Sequence, residues 1–259
     1  MKPALLVQDI QNFCLYEPDS NQELRKSVEK RLDVINEAIS FRRYEPGDLS
    51  TCTSLAEDAW PPGPGIVSKK QETSGMKGYI GYSVGLANWT DMACASEGVV
   101  GFLFGRIDKY PGAPVPKRSP LGELPTFIRS FFIENRMTPK SISFTWSLFL
   151  TELKVKLRIP KSDASIEMFI VCSKHRGKGV GSELIDRFLR AARKSGSSLV
   201  TVYTDNMMSN WQFYEKRGFK RVETFHDNIT SHYSGLDSTG IIFALDLREG
   251  KQKTGSEST

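Results

Sequence analysis

No window of the 259-residue chain approaches the roughly 18 uninterrupted apolar residues that a membrane-spanning helix needs. The opening M-K-P-A-L-L-V-Q-D-I has neither the long apolar core nor the small-residue cleavage site of a signal peptide, so a cytoplasmic protein with no membrane association is expected. Cysteine and histidine are scarce. Cys14, Cys52, Cys94 and Cys172 contain no C-x-x-C, and His175, His226 and His232 form no ligand pair with them, so reduced thiols and no metal are expected. Basic residues interleaved with stacking aromatics are also missing, which argues against a nucleic-acid partner. What is present is ordinary globular composition, 39% apolar and 25% charged, with a modest net charge of +5. Lys and Arg concentrate between residues 154 and 194.

That basic region surrounds the most informative stretch, I-E-M-F-I-V-C-S-K-H-R-G-K-G-V-G-S-E-L from Ile166 to Leu184. An apolar run ends at Val171 and Cys172, a loop carries Arg176, Gly177, Gly179 and Gly181, and an amphipathic helix starts at about Ser182. Strand, glycine-rich turn and helix N-terminus together make an anion site, because glycine permits positive φ and close backbone approach while first-turn N–H groups and the helix dipole favour negative charge. Lys174, Arg176 and Lys178 add to that field. The natural ligand is a pyrophosphate. A Walker loop is excluded because no Lys-Ser or Lys-Thr follows the last glycine, and the spacing G-x-G-x-G is not the dinucleotide fingerprint.

The pattern Arg176-x-x-Gly179-x-Gly181, with Val171 five residues before the Arg, closely resembles the acetyl-CoA loop of the GNAT family of N-acetyltransferases. Tyr214 lies 33 residues beyond Gly181, inside N-W-Q-F-Y-E-K-R-G-F from Asn210 to Phe219. This second stretch resembles the family's later helix, which carries an Asn and ends in F-Y-E-K-x-G-F. The resemblance covers residues 41–105 and 165–247. It implies a mixed α/β sheet with helices on both faces, and acetyl-CoA as co-substrate without a metal.

The resemblance also implies site residues. The main chain of Phe169, Ile170 and Val171 would pair with pantetheine, with an amide near Ile170 or Val171 facing the thioester oxygen. Arg176, Gly177, Lys178, Gly179, Val180, Gly181 and Ser182 would wrap the pyrophosphate. Asn210 would bond the pantetheine arm, with Asn206 as its competitor. Tyr214 would protonate the leaving thiolate, which is feasible because a CoA thiol and a phenol differ by little in acidity. Glu167, on the strand that enters the site, and Asp205, at the end of the following one, are alternative bases for the amine proton. The acceptor would be a small-molecule amine or a protein amine, with a non-catalytic acyl-CoA-binding module as the contrasting reading.

Residues 1–40 stand apart as an N-terminal β-α appendage. A-L-L-V-Q-D-I-Q-N-F, from Ala4 to Phe13, resembles the opening strand of the isochorismatase-like hydrolases, with Asp9 at their catalytic position. Leu24, Val28, Leu32, Ile35 and Ile39 then share one helix face. No counterpart of that family's Lys and Cys follows, so a hydrolase site cannot be assembled, and a role in docking on the main domain or in a homodimer is expected.

The main domain is expected over 41–248. Leu49 to Trp60 and Gly75 to Ala87 read as helices, and Trp89 to Ala95 with Val99 to Ile107 as a hairpin turning at Ser96-Glu97-Gly98. Gly101 and Gly105 mark bulges, close backbone approach or packing under a helix. Residues 108–164 are an insertion relative to the family, with two apolar elements at Leu124 to Met137 and Ser143 to Leu157. It is a packing or dimerisation appendage, or a wall of the acceptor pocket. Leu199 to Thr204 reads as a parallel strand, Ser209 to Arg217 as a helix, and Phe219 to Phe225 and Gly240 to Leu247 as the last strands. His226 to Thr239 reads as a long polar connection, and the tail 249–259 as disordered.

Overall fold

The computed structural model describes residues 39–61, 69–113 and 139–248. The expectations for 1–38 with Asp9, for 124–137 and for the tail lie outside the described residues. Among the described residues, seven strands form one mixed sheet in the order β1-β2-β3-β4-β5-β7-β6. They are β1 Ser40–Arg42, β2 Trp89–Ala95, β3 Gly98–Ile107, β4 Ala164–Val171, β5 Leu199–Asp205, β6 Lys220–His226 and β7 Thr239–Asp246. Among the described strands only β4 and β5 run parallel, because a helix crosses over between them. The described helices are α1 Leu49–Ala59, α2 Lys69–Leu86, α3 Pro139–Arg158, α4 Val180–Lys194, α5 Gln212–Lys216 and α6 Asn228–Ser234.

The sheet is covered on both faces. On one, Leu184, Ile185, Phe188, Leu189 and Ala192 of α4 form the buried stripe that their spacing predicts, against Leu103, Ile166, Val200 and Phe243. On the other, Cys52 and Ala56 of α1 and Met76 and Ile80 of α2 pack on Phe102, Phe104, Met168 and Ile170. Burying each large side chain in these layers contributes roughly 1.5–3 kcal/mol before entropy is counted.

Ile166 and Met168 should share a face of β4 by the period of two, yet they lie in opposite cores. The reason is a β-bulge. Gly105 pairs with Ile166 and Phe104 with Met168, so Glu167 is an extra residue that reverses the side-chain alternation of the rest of the strand. Phe169 and Val171 therefore pack on the α4 side. Gly105, opposite the bulge, permits a close approach, since a Cβ there would lie 2.3 Å from Cε2 of Phe188. Of the roles expected for that glycine, a place at a bulge and packing under a helix are both observed.

Helix α4 closes with Gly196 at φ 76°, where the amide of Gly196 bonds Arg193 O and that of Ser197 bonds Ala192 O. The long polar connection expected over His226 to Thr239 is corrected: it contains α6. The side chain of Asp227 accepts hydrogen bonds from the amides of Ile229 and Thr230, and Gly235 in the left-handed region ends the helix. A cap and a terminal glycine outweigh the low apolar content of the segment. The helix expected over Ser209 to Arg217 is shorter, its regular part running from Gln212 to Lys216.

The second half of the insertion folds as α3 and is fixed onto α6. Thr151 Oγ1 donates to Asp227 Oδ1 at 3.1 Å and accepts from the amide of Ile229 at 3.0 Å. Lys154 Nζ donates to His226 O at 2.9 Å and to Asn228 Oδ1 at 2.5 Å. These bonds satisfy the first turn of α6 from a second helix, which joins α3 to the far end of the sheet.

Candidate functional site

Strands β4 and β5 pair only through Ala164–Ile166 and Val200–Val202. Beyond those residues they part, since β4 is bent by the bulge at Glu167 while β5 stays paired with β7 as far as Asp205 opposite Gly240. A cavity of about 620 Å³ opens in the gap. One bank is Glu167, Met168, Phe169, Ile170 and Val171, and the other is Tyr203, Thr204, Asp205 and Asn210 with Tyr214 of α5.

Main-chain direction along β4 follows from one hydrogen bond. The amide of Cys172 reaches Val100 O on β3 at 2.8 Å. In an antiparallel ladder alternate residues turn their N–H and C=O to opposite sides, so Val171 and Phe169 turn theirs away from β3, toward the gap. Of the two positions expected for an amide facing the cavity, this geometry favours Val171. Its carbonyl accepts from Nε of Arg176 at 3.0 Å, which ties the glycine loop back to the strand.

The loop has the backbone its sequence requires. Gly177 and Gly179 lie at φ 77° and 87°, and a Cβ on either would meet nothing within 4 Å, so both are needed for conformation and both border open space. Gly181 serves packing instead, for its Cβ would lie 3.2 Å from Cζ of Phe169. The first bond of α4 runs from the amide of Glu183 to Gly179 O at 2.9 Å, so the amides of Val180, Gly181 and Ser182 precede the helical ladder. Free first-turn donors, a helix dipole and a loop without side chains make a fitting cradle for the phosphates of CoA.

Of the residues expected from sequence, Glu167, Phe169, Ile170, Val171, Arg176, Gly177, Gly179, Gly181, Ser182, Asp205, Asn210 and Tyr214 line the cavity. Two do not. The side chain of Val180 is buried in the core beneath α4, leaving only its amide for the loop, and Lys178 is exposed outside the cavity lining. Asn206 is engaged elsewhere, its Oδ1 accepting from the amide of Thr239 at 2.8 Å and from Ser238 Oγ at 3.3 Å. Asn210 is thus the asparagine that borders the cavity.

The remaining lining was not named from sequence. Trp60 and Tyr79 come from the α1–α2 side, Leu148, Thr151 and Glu152 from α3, and Ile229 and Tyr233 from α6. The insertion therefore walls the cavity, the second of its two expected roles. Sequence offered the length and apolar content of the insertion as a signal, but the contribution of α6 depended on a helix hidden in a polar segment.

Several titratable groups here are displaced. Burial pushes Tyr214, Tyr79 and Tyr203 above the ordinary phenol value of 10.0, and for Tyr203 the neighbouring Asp227 adds to the effect, its carboxylate accepting from the phenol at 2.6 Å. Burial likewise raises Asp205, against the lowering effect of the amides of Met208 and Met207 that bond its carboxylate. A phenol held protonated in the folded state contributes stability that is complete below the unfolded-state pKa near 10 and is lost as pH climbs toward the raised folded value. Melting temperature is accordingly expected to fall steeply above about pH 10, and a flat profile from pH 9 to 11 would contradict the burial of these three rings.

With that geometry in view, comparison with known proteins gives three findings. Residues 154–221 match the family model of the acetyltransferase (GNAT) domain. Among solved structures the chain is similar to an N-acetyltransferase from Staphylococcus aureus Mu50, at 16% identity and a TM-score of 0.47 over 82% of this chain and 99% of that one. It is also similar to the ribosomal-protein-S18-alanine N-acetyltransferase from Escherichia coli, at 12% identity and a TM-score of 0.44 over 81% and 94%. A GNAT family acetyltransferase from Brucella melitensis in complex with acetyl-CoA aligns at 13% identity and a TM-score of 0.41 over 81% and 88%. No curated protein matches the chain in sequence.

Proposed function

We propose that the protein is an acetyl-CoA-dependent N-acetyltransferase that moves the acetyl group directly onto a primary amine, a reading supported by the match of residues 154–221 to the model of the acetyltransferase (GNAT) domain. The observation that carries this reading is the unpaired gap between β4 and β5, with a glycine cradle at one end and Tyr214 on its wall. The acetyl thioester supplies the activated acyl group. Everything else is asked of the chain.

The amides of Val180, Gly181 and Ser182, with Arg176 beside them, hold the pyrophosphate. The outward main chain of Phe169 and Val171 pairs with the pantetheine arm as an added strand would, and Asn210 bonds it from the opposite bank. The amide of Val171 stabilises charge developing on the thioester oxygen. Glu167 or Asp205, on opposite banks, takes the proton of the attacking amine directly or through water, and burial of Asp205, which raises its affinity for a proton, favours that role. Tyr214 donates toward the departing sulfur. Its hydroxyl makes no hydrogen bond among the described residues although the side chain is only 7% exposed, so it is available in the cavity it lines.

The test is calorimetric titration of the protein with acetyl-CoA, CoA and ATP. Saturable binding of acetyl-CoA and CoA but not ATP is expected, followed by amine-dependent release of thiol. Absence of acetyl-CoA binding would overturn the reading.

A further inference from the structure

Resting on the acetyl-transfer reading above, with Glu167 as its base, we propose that Ser165 and Arg106 are positioning residues that hold the Glu167 carboxylate for proton transfer from the attacking amine. Glu167 is the bulge residue, outside the pairing register of β3 with β4. The ladder that directs its neighbours does not by itself direct its long side chain. Something else must hold it.

The hold stands directly beside it. Ser165 and Glu167 flank Ile166, which faces the α4 core, and both turn to the opposite face, where Ser165 Oγ donates to Oε1 of Glu167. Arg106 is the residue across the ladder from Ser165, and its Nε donates to the same Oγ at 3.2 Å. The rest of the guanidinium is engaged as well, Nη2 donating to Ser162 O at 3.1 Å and Nη1 forming an ion pair with Asp108. Ser165 and Arg106 are 2% and 7% exposed, so the two are set behind the cavity lining to which Glu167 belongs.

The direction of these hydrogen bonds follows from elementary chemistry. A guanidinium donates and cannot accept, so the oxygen of Ser165 accepts from Arg106 and its single proton points to Glu167. A buried guanidinium is costly without a countercharge, which Asp108 supplies, and its Nε then serves the hydroxyl. The bond from Ser165 to Glu167 satisfies no backbone group; what it fixes is a carboxylate on the cavity wall. Asp205 differs. Its Oδ1 accepts from the amides of Met207 and Met208 at 2.8 and 2.5 Å, and so serves the turn after β5.

Proton transfer needs heavy atoms within hydrogen-bond reach, and a misplacement of about 1 Å costs up to about a hundredfold in rate. In the step itself one N–C bond forms as the thioester C–S bond breaks, and the proton of the nitrogen passes to Glu167. The sulfur is served by Tyr214, and Ser165 keeps its own proton throughout.

The test measures turnover of the full chain with acetyl-CoA and, as amines, 2-phenylethylamine, 1,4-diaminobutane and lysine amide, using the one that the wild type acetylates fastest. Ser165→Ala is expected to lower kcat about tenfold, with KM for the amine and calorimetric affinity for CoA within about twofold. Glu167→Gln should lower kcat about a hundredfold. Adding Ser165→Ala to it should cost less than about twofold more, since Ser165 acts only through that carboxylate. Melting temperature checks folding, and Ser165→Cys, close in volume and a poor donor, replaces Ser165→Ala if that variant does not fold. Crystal structures give a reading that needs no acceptor: Glu167 bonded to Ser165 in the wild type and displaced in the variant. Wild-type kcat in Ser165→Ala, a loss that multiplies in full with that of Glu167→Gln, or a Glu167 that stays in place without the hydroxyl would overturn the proposal. Full turnover in Glu167→Gln would overturn it too but leave acetyl transfer standing with Asp205 as base, whereas failure to bind acetyl-CoA would remove both.

Discussion

Gly179→Glu is expected to reduce CoA affinity by at least about a hundredfold, through three effects that act together. The first is conformational. Gly179 sits at φ 87° as the N-cap of α4, where a side chain costs about 1–2 kcal/mol and would pull the loop toward a different shape. The second is steric, for a Cβ at this position faces open space on the cavity side of the loop, so a longer side chain would occupy the volume intended for phosphate. The third is charge, since a carboxylate placed before the amides of Val180, Gly181 and Ser182 would satisfy the helix terminus itself and repel the ligand. Gly179→Ala separates them. It imposes the conformational cost with little volume and no charge, so an affinity loss of roughly tenfold is expected there. Calorimetric titration of both variants with CoA reads the difference, and melting curves establish that α4 is still formed. Unchanged affinity in Gly179→Glu would sink the assignment of this loop to the cofactor.

The glycine loop was legible in the sequence because its function and its local structure depend on the same residues. Positive φ at Gly177 and Gly179 needs glycine, and the apolar spacing from Leu184 to Ala192 needs a helix directly after it. The same holds for β5, whose β-branched run suits a strand buried on both faces. The other half of the site was less legible. The splay of β4 from β5 depends on one extra residue in a pairing register, Glu167, and the hint of it in the sequence, Gly105 on the facing strand, fits packing under a helix equally well. Helix α6 is held by a cap and by α3, and its Ile229 and Tyr233 are too few to reveal an apolar period. That Glu152 and Tyr79 face one cavity is a consequence of packing between segments distant in sequence, which periodicity cannot report. The chemistry carried by backbone conformation was therefore readable, and the acceptor side, carried by tertiary contacts, was not.

Tyr214→Phe should lower turnover by about ten- to a hundredfold while CoA affinity stays within about twofold of the wild type. The substitution is a clean test because of how the ring is held. It stands edge-on to Phe219 at 5.6 Å and to Phe213 at 5.8 Å, and lies tilted over Phe243 at 5.8 Å. Phenylalanine would keep all three contacts, and since the hydroxyl has no hydrogen-bond partner among the described residues, its loss leaves no buried group unsatisfied. Stability should thus be unchanged within about 0.5 kcal/mol, whereas Tyr214→Ala, which empties the space, should cost several kcal/mol. The size of the catalytic effect follows from acidity. Burial raises the phenol above 10, so it remains protonated across the neutral range but is a weaker acid than the thiol it serves. Complete proton transfer ahead of bond breaking would be uphill. The hydroxyl instead stabilises the sulfur as charge develops on it, an effect at the lower end of what acid–base groups supply. Turnover equal to wild type in Tyr214→Phe would return this residue to packing alone, and would mean that the thiolate leaves without help from the wall of α5.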